Sequence, residues 1–285
     1  MIVSKAEITA ARARMPLAFQ APPRIRALRI AGWTGFVLLF AWCLYDFDVS
    51  PTRIWNGLGR LGTVFSFMFP PHIWTEWSDF AEILKGLWET LSMAFMGTLL
   101  GVVLAFPLSF LGAKNITRFW PLRLTARRGF DVIRAFETLI LALIFIRAFG
   151  LGPLAGVLAI AVGEVGYFAK LFSEAIENVS ERPVEGVRAS GGSRLQNIRF
   201  GVMPQVAPVI LSIILYNFES NVRSGTILGI VGAGGIGFIL SDRISAYMWG
   251  EVWSIIFLII AMVYLIDWLS GLVRTRLIGT YEGVR

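Results

Sequence analysis

The chain has 285 residues, of which 56% are apolar and only 16% charged, and its net charge is +7. A water-soluble domain carries about 25% charged residues and a disordered chain lacks such an apolar excess, so both classes are excluded. With a mean hydropathy of +0.68, the length is counted in membrane spans rather than in soluble domains.

Residues 1–29 hold Lys5, Arg12, Arg14, Arg24, Arg26 and Arg29 against a lone Glu7, and an apolar run follows from Leu28 to Tyr45. A cleaved signal peptide would end in small residues, whereas this run closes on Cys43-Leu44-Tyr45-Asp46, and Trp42 spoils a lipoprotein-type site. It reads as an uncleaved first span, with 1–27 as a cytoplasmic segment and 28–45 as the helix. An extracytoplasmic loop over 46–80 comes next, and the polar stretch that begins there runs on to residue 86. Trp55, Trp74, Trp77 and Pro70-Pro71 in it suit an interfacial aromatic belt with a short surface helix, or else a docking surface for an extracytoplasmic partner.

Further apolar stretches fall at 87–111, 130–149, 151–172, 205–230 and 252–273. Each reaches roughly the 20 residues that a span needs, so about six transmembrane helices are expected. Gly150-Leu151-Gly152-Pro153 reads as a tight turn between the third and fourth. Most of the Lys and Arg residues fall in segments that share one side if the amino terminus is inside. That bias orients both termini, including a tail at 276–285, toward the cytoplasm. The basic balance is thereby a matter of topology, and nucleic-acid binding is not expected.

Between the fourth and fifth spans, the loop 171–203 carries its own folding signals. Pro183 opens a short helix, Val184 to Ser190 continue it, and Gly191-Gly192 close it. Ser193-Arg194-Leu195-Gln196 fits a capping box that starts a second helix, and Pro204 marks where the fifth span takes over. A helix, a glycine break and a helix form a compact knob to offer a partner. A solvated tether is the plainer alternative, since Glu174, Glu177, Glu181 and Glu185 balance Lys170, Arg182, Arg188, Arg194 and Arg199.

The run Glu185-Gly186-Val187-Arg188-Ala189-Ser190-Gly191, ending at Met203-Pro204, resembles the EAA loop of ABC importer permeases. Glu185, Gly191 and Pro204 match its spacing. Gly186 and Val187 replace two alanines, Gly201 stands where isoleucine is expected, and Met203 replaces leucine. Phe218-Glu219-Ser220-Asn221-Val222-Arg223-Ser224 and Gly229-Ile230-Val231-Gly232-Ala233-Gly234-Gly235-Ile236-Gly237 are similar to the permease subunit of phosphonate ABC importers, over about residues 80 to 275. The resemblance implies an all-α membrane protein of the type I ABC importer permease fold, with a permease domain at 81–275. It implies a homodimer with two ATP-binding cassette subunits and an extracytoplasmic substrate-binding protein. Glu185, Gly186, Arg188, Ala189, Ser190, Gly191 and Pro204 are then the ATPase-coupling residues. The cargo implied is phosphonate or a related small phosphorus oxyanion, moved across a bacterial inner membrane.

No cofactor is expected in this chain. Cys43 and His72 are the only residues of their kinds, so a metal cluster or histidine triad within one chain is not expected. Lys5, Lys85, Lys114 and Lys170 all lie outside a Walker setting, so ATP and Mg would be bound by the partner ATPase. Gly232-Ala233-Gly234-Gly235-Ile236-Gly237 satisfies the dinucleotide pattern but follows a membrane span, so it is rejected. Gly229, Gly232, Gly234, Gly235 and Gly237 suit instead a helix break, a gate or close packing.

Charge inside a span is costly and has to pair or face water. Counted from Pro204, Glu219 and Arg223 lie about 22 and 28 Å up the fifth span, and four residues apart they can pair. Asn217, Asn221 and Ser224 share the other face. One of these faces meets neighbouring spans and the other the substrate pathway, for which all five residues are candidates. Asp131, Arg134, Glu137, Arg147, Glu164 and Lys170 are further charges read as interhelical struts or substrate contacts. A permease for phosphite, phosphate or an amino acid is the alternative cargo. An intramembrane enzyme is the other class, and it would lack a nucleophile and base pair.

Overall fold

The computed structural model describes residues 22–69 and 71–282, and every regular element among them is helical. Lys5, Arg12, Arg14, Pro70 and Arg285 lie outside the described residues. The chain divides into two compact units between Ser66 and Phe67.

The first unit holds α1, Pro23–Asp46, and α2, Pro51–Ser66. Proline in the first turn of α1 costs no hydrogen bond, because that N–H would have no helical partner. Asp48, at φ 50°, turns the chain, and its carboxylate meets Arg53 at 2.9 Å. Ile54, Leu58, Leu61 and Phe65 recur at helical spacing along α2, so the stretch in which a short surface helix is expected does hold a short helix, and it is amphipathic.

The second unit begins with α3, Trp77–Gly112, which starts ten residues before the predicted second span. The predicted third span at 130–149 is two helices, α4 at Trp120–Arg134 and α5 at Thr138–Phe149. Hydropathy alone missed the break, where Arg134 and Glu137 flank residues whose backbone leaves the helix, with Glu137 at ψ 133°. At about 1.5 Å per residue, α5 is roughly 18 Å long, well short of the about 30 Å of a bilayer core. Five helical stretches among the described residues are long and apolar enough to cross a membrane, and α5 is a shorter apolar sixth.

Helix α6, Pro153–Glu177, runs on seven residues into the segment predicted as loop. Next come α7, Glu181–Ala189; α8, Arg194–Gln196; a wide π-helical turn, Asn197–Val202; and α9, Met203–Leu228. A second π-helical turn, Gly229–Ala233, leads to α10, Gly235–Ser245, and α11, Trp249–Glu282, closes the chain.

The most extensive pairing is α3 with α6, and small residues make it possible. A methyl group on Gly97 would lie 2.7 Å from Ile160 Cβ, and one on Gly101 2.7 Å from Glu164 Cβ. On the facing helix, a methyl on Gly166 would lie 2.7 Å from the Phe130 carbonyl oxygen of α4. Without a hydrophobic driving force between helices in lipid, such close backbone approach supplies the dispersion contacts that hold spans together. Phe168, Phe172, Ile176, Val202 and Val206 form the core near the α7 end, and Ile83, Ile236, Leu240 and Ile255 form it at the opposite end.

Candidate functional site

Three arrangements bring the candidate residues together. The first is the knob between α6 and α9. Helix α7 opens at Glu181, with Pro183 inside its first turn, and buries none of its side chains. It ends as the sequence predicted: Gly191 adopts φ 83°, its N–H donates to the Arg188 carbonyl at 3.0 Å, and the Gly192 N–H donates to the Val187 carbonyl at 3.0 Å. That pair of bonds is a Schellman cap, which satisfies helix carbonyls that would otherwise be orphaned. The capping box is also present. Gln196 N–H donates to Ser193 Oγ, and Ser193 N–H donates to Gln196 Oε1 at 2.7 Å.

Two features of the knob escaped sequence reasoning. Gly201, where the EAA pattern has isoleucine, lies buried against α7, and a methyl there would approach Val184 Cα to 3.0 Å. Gln205 ties the start of the knob to α9, donating to the Gly201 carbonyl at 2.7 Å and the Ser180 carbonyl at 3.2 Å, and accepting from Ser180 N–H at 3.0 Å. Glu185, Gly186, Arg188 and Ala189 are thereby carried on a short, capped, exposed helix with Ser190 at its C-cap, and α8 and the wide turn Asn197–Val202 separate it from the start of α9, where Pro204 lies.

The second arrangement is on α9, where the structure distinguishes the two polar faces. Asn217 and Asn221 are 7% and 6% exposed and point into the bundle. Asn217 Nδ2 donates to the Ile213 carbonyl at 2.8 Å. Asn221 Nδ2 donates to Thr98 Oγ1 of α3 at 3.1 Å and to Glu164 Oε1 of α6 at 2.8 Å, so one amide joins three helices. Glu164 Oε2 is buried and has no hydrogen-bond partner among the described residues.

The other face behaves differently. Glu219, 15% exposed, meets Arg223 at 3.5 Å and Arg274 of α11 at 3.9 Å, with Asp267 beside it. Arg223 is 62% exposed, on a stripe with the exposed Tyr216, Ser220 and Ile227. Ser224 is half-buried between the faces. At the start of α9, Val206 packs in the cluster that holds Ala113 and Ile176. Asn221 meets Thr98, near the middle of the 87–111 stretch.

The third arrangement is the glycine run, which breaks the helix as its composition suggested. Gly232, Gly234 and Gly235 adopt φ of 107°, 81° and 68°, the left-handed region that β-carbons disfavour. The turn is fastened on two sides. Gly152 N–H donates to the Gly232 carbonyl at 3.1 Å. At the start of α10, Gly235 N–H donates to Glu89 Oε2 at 3.3 Å and Ile236 N–H to Thr90 Oγ1 at 2.9 Å, so two α3 side chains cap α10. Gly229 and Gly237 approach closely, since a methyl on Gly229 would lie 2.8 Å from Gly237 Cα. Sequence reasoning missed Glu89 and Thr90, whose spacing from the glycines is 146 residues.

Of the remaining charges, Asp131, Arg134 and Lys170 bridge α4 and α6. Lys170 Nζ meets Asp131 Oδ1 at 2.6 Å, and the Arg134 guanidinium sits 5.5 Å from the Tyr167 ring centroid. No group of three or more His, Cys, Asp or Glu residues that could hold a metal ion occurs among the described residues.

Residues 97–279 match the family described as binding-protein-dependent transport system inner membrane component. The chain is 38% identical over 245 residues to the putative phosphite transport system permease protein HtxC of Stutzerimonas stutzeri, covering 86% of this chain and 84% of that one. It is 46% identical over 121 residues to the putative cryptic phosphonate transport system permease protein PhnE2 of Escherichia coli K12, covering 42% of this chain and 99% of the other. Among solved structures, the MetNI methionine ABC transporter in its inward-facing conformation has the same fold. Its TM-score is 0.64 at 22% identity, covering 71% of this chain and 99% of the other.

Proposed function

The chain belongs to the family of binding-protein-dependent transport system inner membrane components, and from that premise we propose that it is the permease through which phosphonate, phosphite or a related small phosphorus oxyanion is imported. It is a multi-pass, non-catalytic transport subunit, and ATP hydrolysis belongs to a separate subunit. The observation that carries the cargo is its likeness to a phosphite permease across most of both chains. The exposed arginine on α9 agrees with it, because a planar guanidinium donates two parallel hydrogen bonds to phosphoryl oxygens.

In this reading two copies assemble side by side with two ATPase subunits, each of which binds ATP and Mg, and a binding protein delivers the anion from outside. Both termini face the cytoplasm, as the distribution of Lys and Arg favours. Glu185, Gly186, Arg188, Ala189, Ser190 and Gly191 seat in the ATPase, and Pro204 begins the helix that carries the motion inward. Arg223 lines the pathway, because a charged group facing lipid costs several kcal/mol whereas one facing water or a second copy does not. Ser224 neighbours it, Asn217 and Asn221 hold the helix that presents it, and the turn through Gly229, Gly232, Gly234, Gly235 and Gly237 forms the gate.

The test is ATP hydrolysis by the reconstituted transporter with its binding protein. Phosphite and methylphosphonate should stimulate hydrolysis and uptake, with methionine and other amino acids inert. Stimulation by an amino acid and none by any phosphorus oxyanion would overturn the cargo.

A further inference from the structure

A cleft between α4 and α6 is built from residues of neither the α9 stripe nor the knob. It encloses about 260 Å³ and is lined by Leu124, Arg127, Arg128 and Asp131 of α4 and by Lys170 and Ser173 of α6. The four α4 residues recur at intervals of three, one and three, which places them on one helix face.

Its charges are unequally committed. Arg127 is an anchor: Nε donates to the Gly112 carbonyl at 2.9 Å and Nη2 lies 2.7 Å from Glu177 Oε1, an oxygen that also accepts from the Lys114 N–H. Lys170 is held by Asp131 at 2.6 Å. Arg128 is the uncommitted cation, 75% exposed, with a single distant contact of 3.7 Å to Asp131. Three cations thus face two carboxylates, and the surplus positive charge sits at the open mouth.

We propose that this cleft binds the phosphate of an anionic phospholipid, with Arg128 and Lys170 on the phosphate oxygens and Leu124 beneath the glycerol. The shared chemistry is a singly charged phosphate, which inorganic phosphate also offers, and two observations favour the lipid. Lys170 lies 17 residues into α6, roughly 25 Å from its start, near the depth at which a span leaves hydrocarbon for headgroups. The start of α4 presents exposed Phe119, Trp120 and Leu122, an aromatic and apolar surface that suits acyl chains and gives a free anion nothing to bind. The proposal needs the protein in a membrane and is independent of the cargo.

Native mass spectrometry of the full chain in mild detergent, titrated with phosphatidylglycerol and separately with phosphatidylethanolamine, tests it. A basic residue near an anionic surface is worth about a factor of five in binding. Arg128→Gln should therefore lose about five-fold in phosphatidylglycerol binding, with no change toward phosphatidylethanolamine or in melting temperature. Arg123→Gln, on the same helix but outside the cleft lining, should bind as the parent does, and millimolar inorganic phosphate should leave the lipid in place. Equal binding of both lipids, an equal loss in Arg123→Gln, unchanged binding in Arg128→Gln, or displacement by inorganic phosphate would each overturn the proposal.

Discussion

Replacing Gly191 tests the knob through backbone geometry alone. A methyl group built on Gly191 meets nothing within 4 Å, so any cost comes from φ 83° and not from a clash. Holding an L residue in the left-handed region costs roughly 1–2 kcal/mol, asparagine tolerates it, and β-branched side chains fare worst. Helix α7 has nine residues, too few to persist without its caps and its packing. Losing 1–2 kcal/mol from the cap shifts the equilibrium between the seated and frayed helix by about 5- to 30-fold. Gly191→Val should therefore abolish most binding-protein-stimulated ATP hydrolysis in reconstituted transporter, Gly191→Ala should lie between, and Gly191→Asn should stay near the parent. All three should insert in the membrane at parental levels. Equal stimulation in Val and Asn variants, whether high or low, would refute the argument, because only backbone preference separates them at an open position.

Thr90→Val removes the acceptor for the buried Ile236 N–H, and leaving that donor unsatisfied should cost about 1–3 kcal/mol, read as a lowered melting temperature in detergent. Asn221→Leu leaves the buried Glu164 without its partner, while Thr98 keeps its bond to the Ala94 carbonyl, and should destabilise the bundle by a similar amount, whereas Glu164→Gln keeps an acceptor for Asn221 and should melt close to the parent. Arg223→Gln should assemble and melt normally yet lose uptake of the anion, while Glu219→Gln should weaken assembly by releasing Arg274. Normal uptake by Arg223→Gln would remove that residue from the pathway.

Local signals in the sequence survived into the structure because they depend on few residues. The cap at Gly191, the box at Ser193 and Gln196, and the break at Gly232 to Gly235 each lie within a stretch the chain itself defines. The predicted third span failed because an averaged hydropathy cannot see three residues at 135–137 leaving the helix between two apolar neighbours. The facing of α9 was undecidable from α9, since it depends on Thr98 and Glu164, 123 and 57 residues away. Gly97 and Gly101, four apart in an apolar helix, did carry a readable signal for the α3–α6 seam. The exposed stripe around Arg223 is legible only once Asn217 and Asn221 are seen to be enclosed.

That glycine seam also limits how the bundle can deform. Where Gly97 and Gly101 meet Ile160 and Glu164, no long side chain stands between the helices to swing aside, so sliding by one residue would drive β-carbons into backbone. Helices α3 and α6 consequently form a single girder. The joints lie where the backbone already departs from α-helix: the φ-positive Gly150 and Gly152, the cap at Gly191, the wide turn at Asn197–Val202 and the fold at Gly232 to Gly235. Three of the four border α6 or α9 and the Gly191 cap lies in the knob between them, so a push at the knob has one stiff member to react against and one jointed member to move.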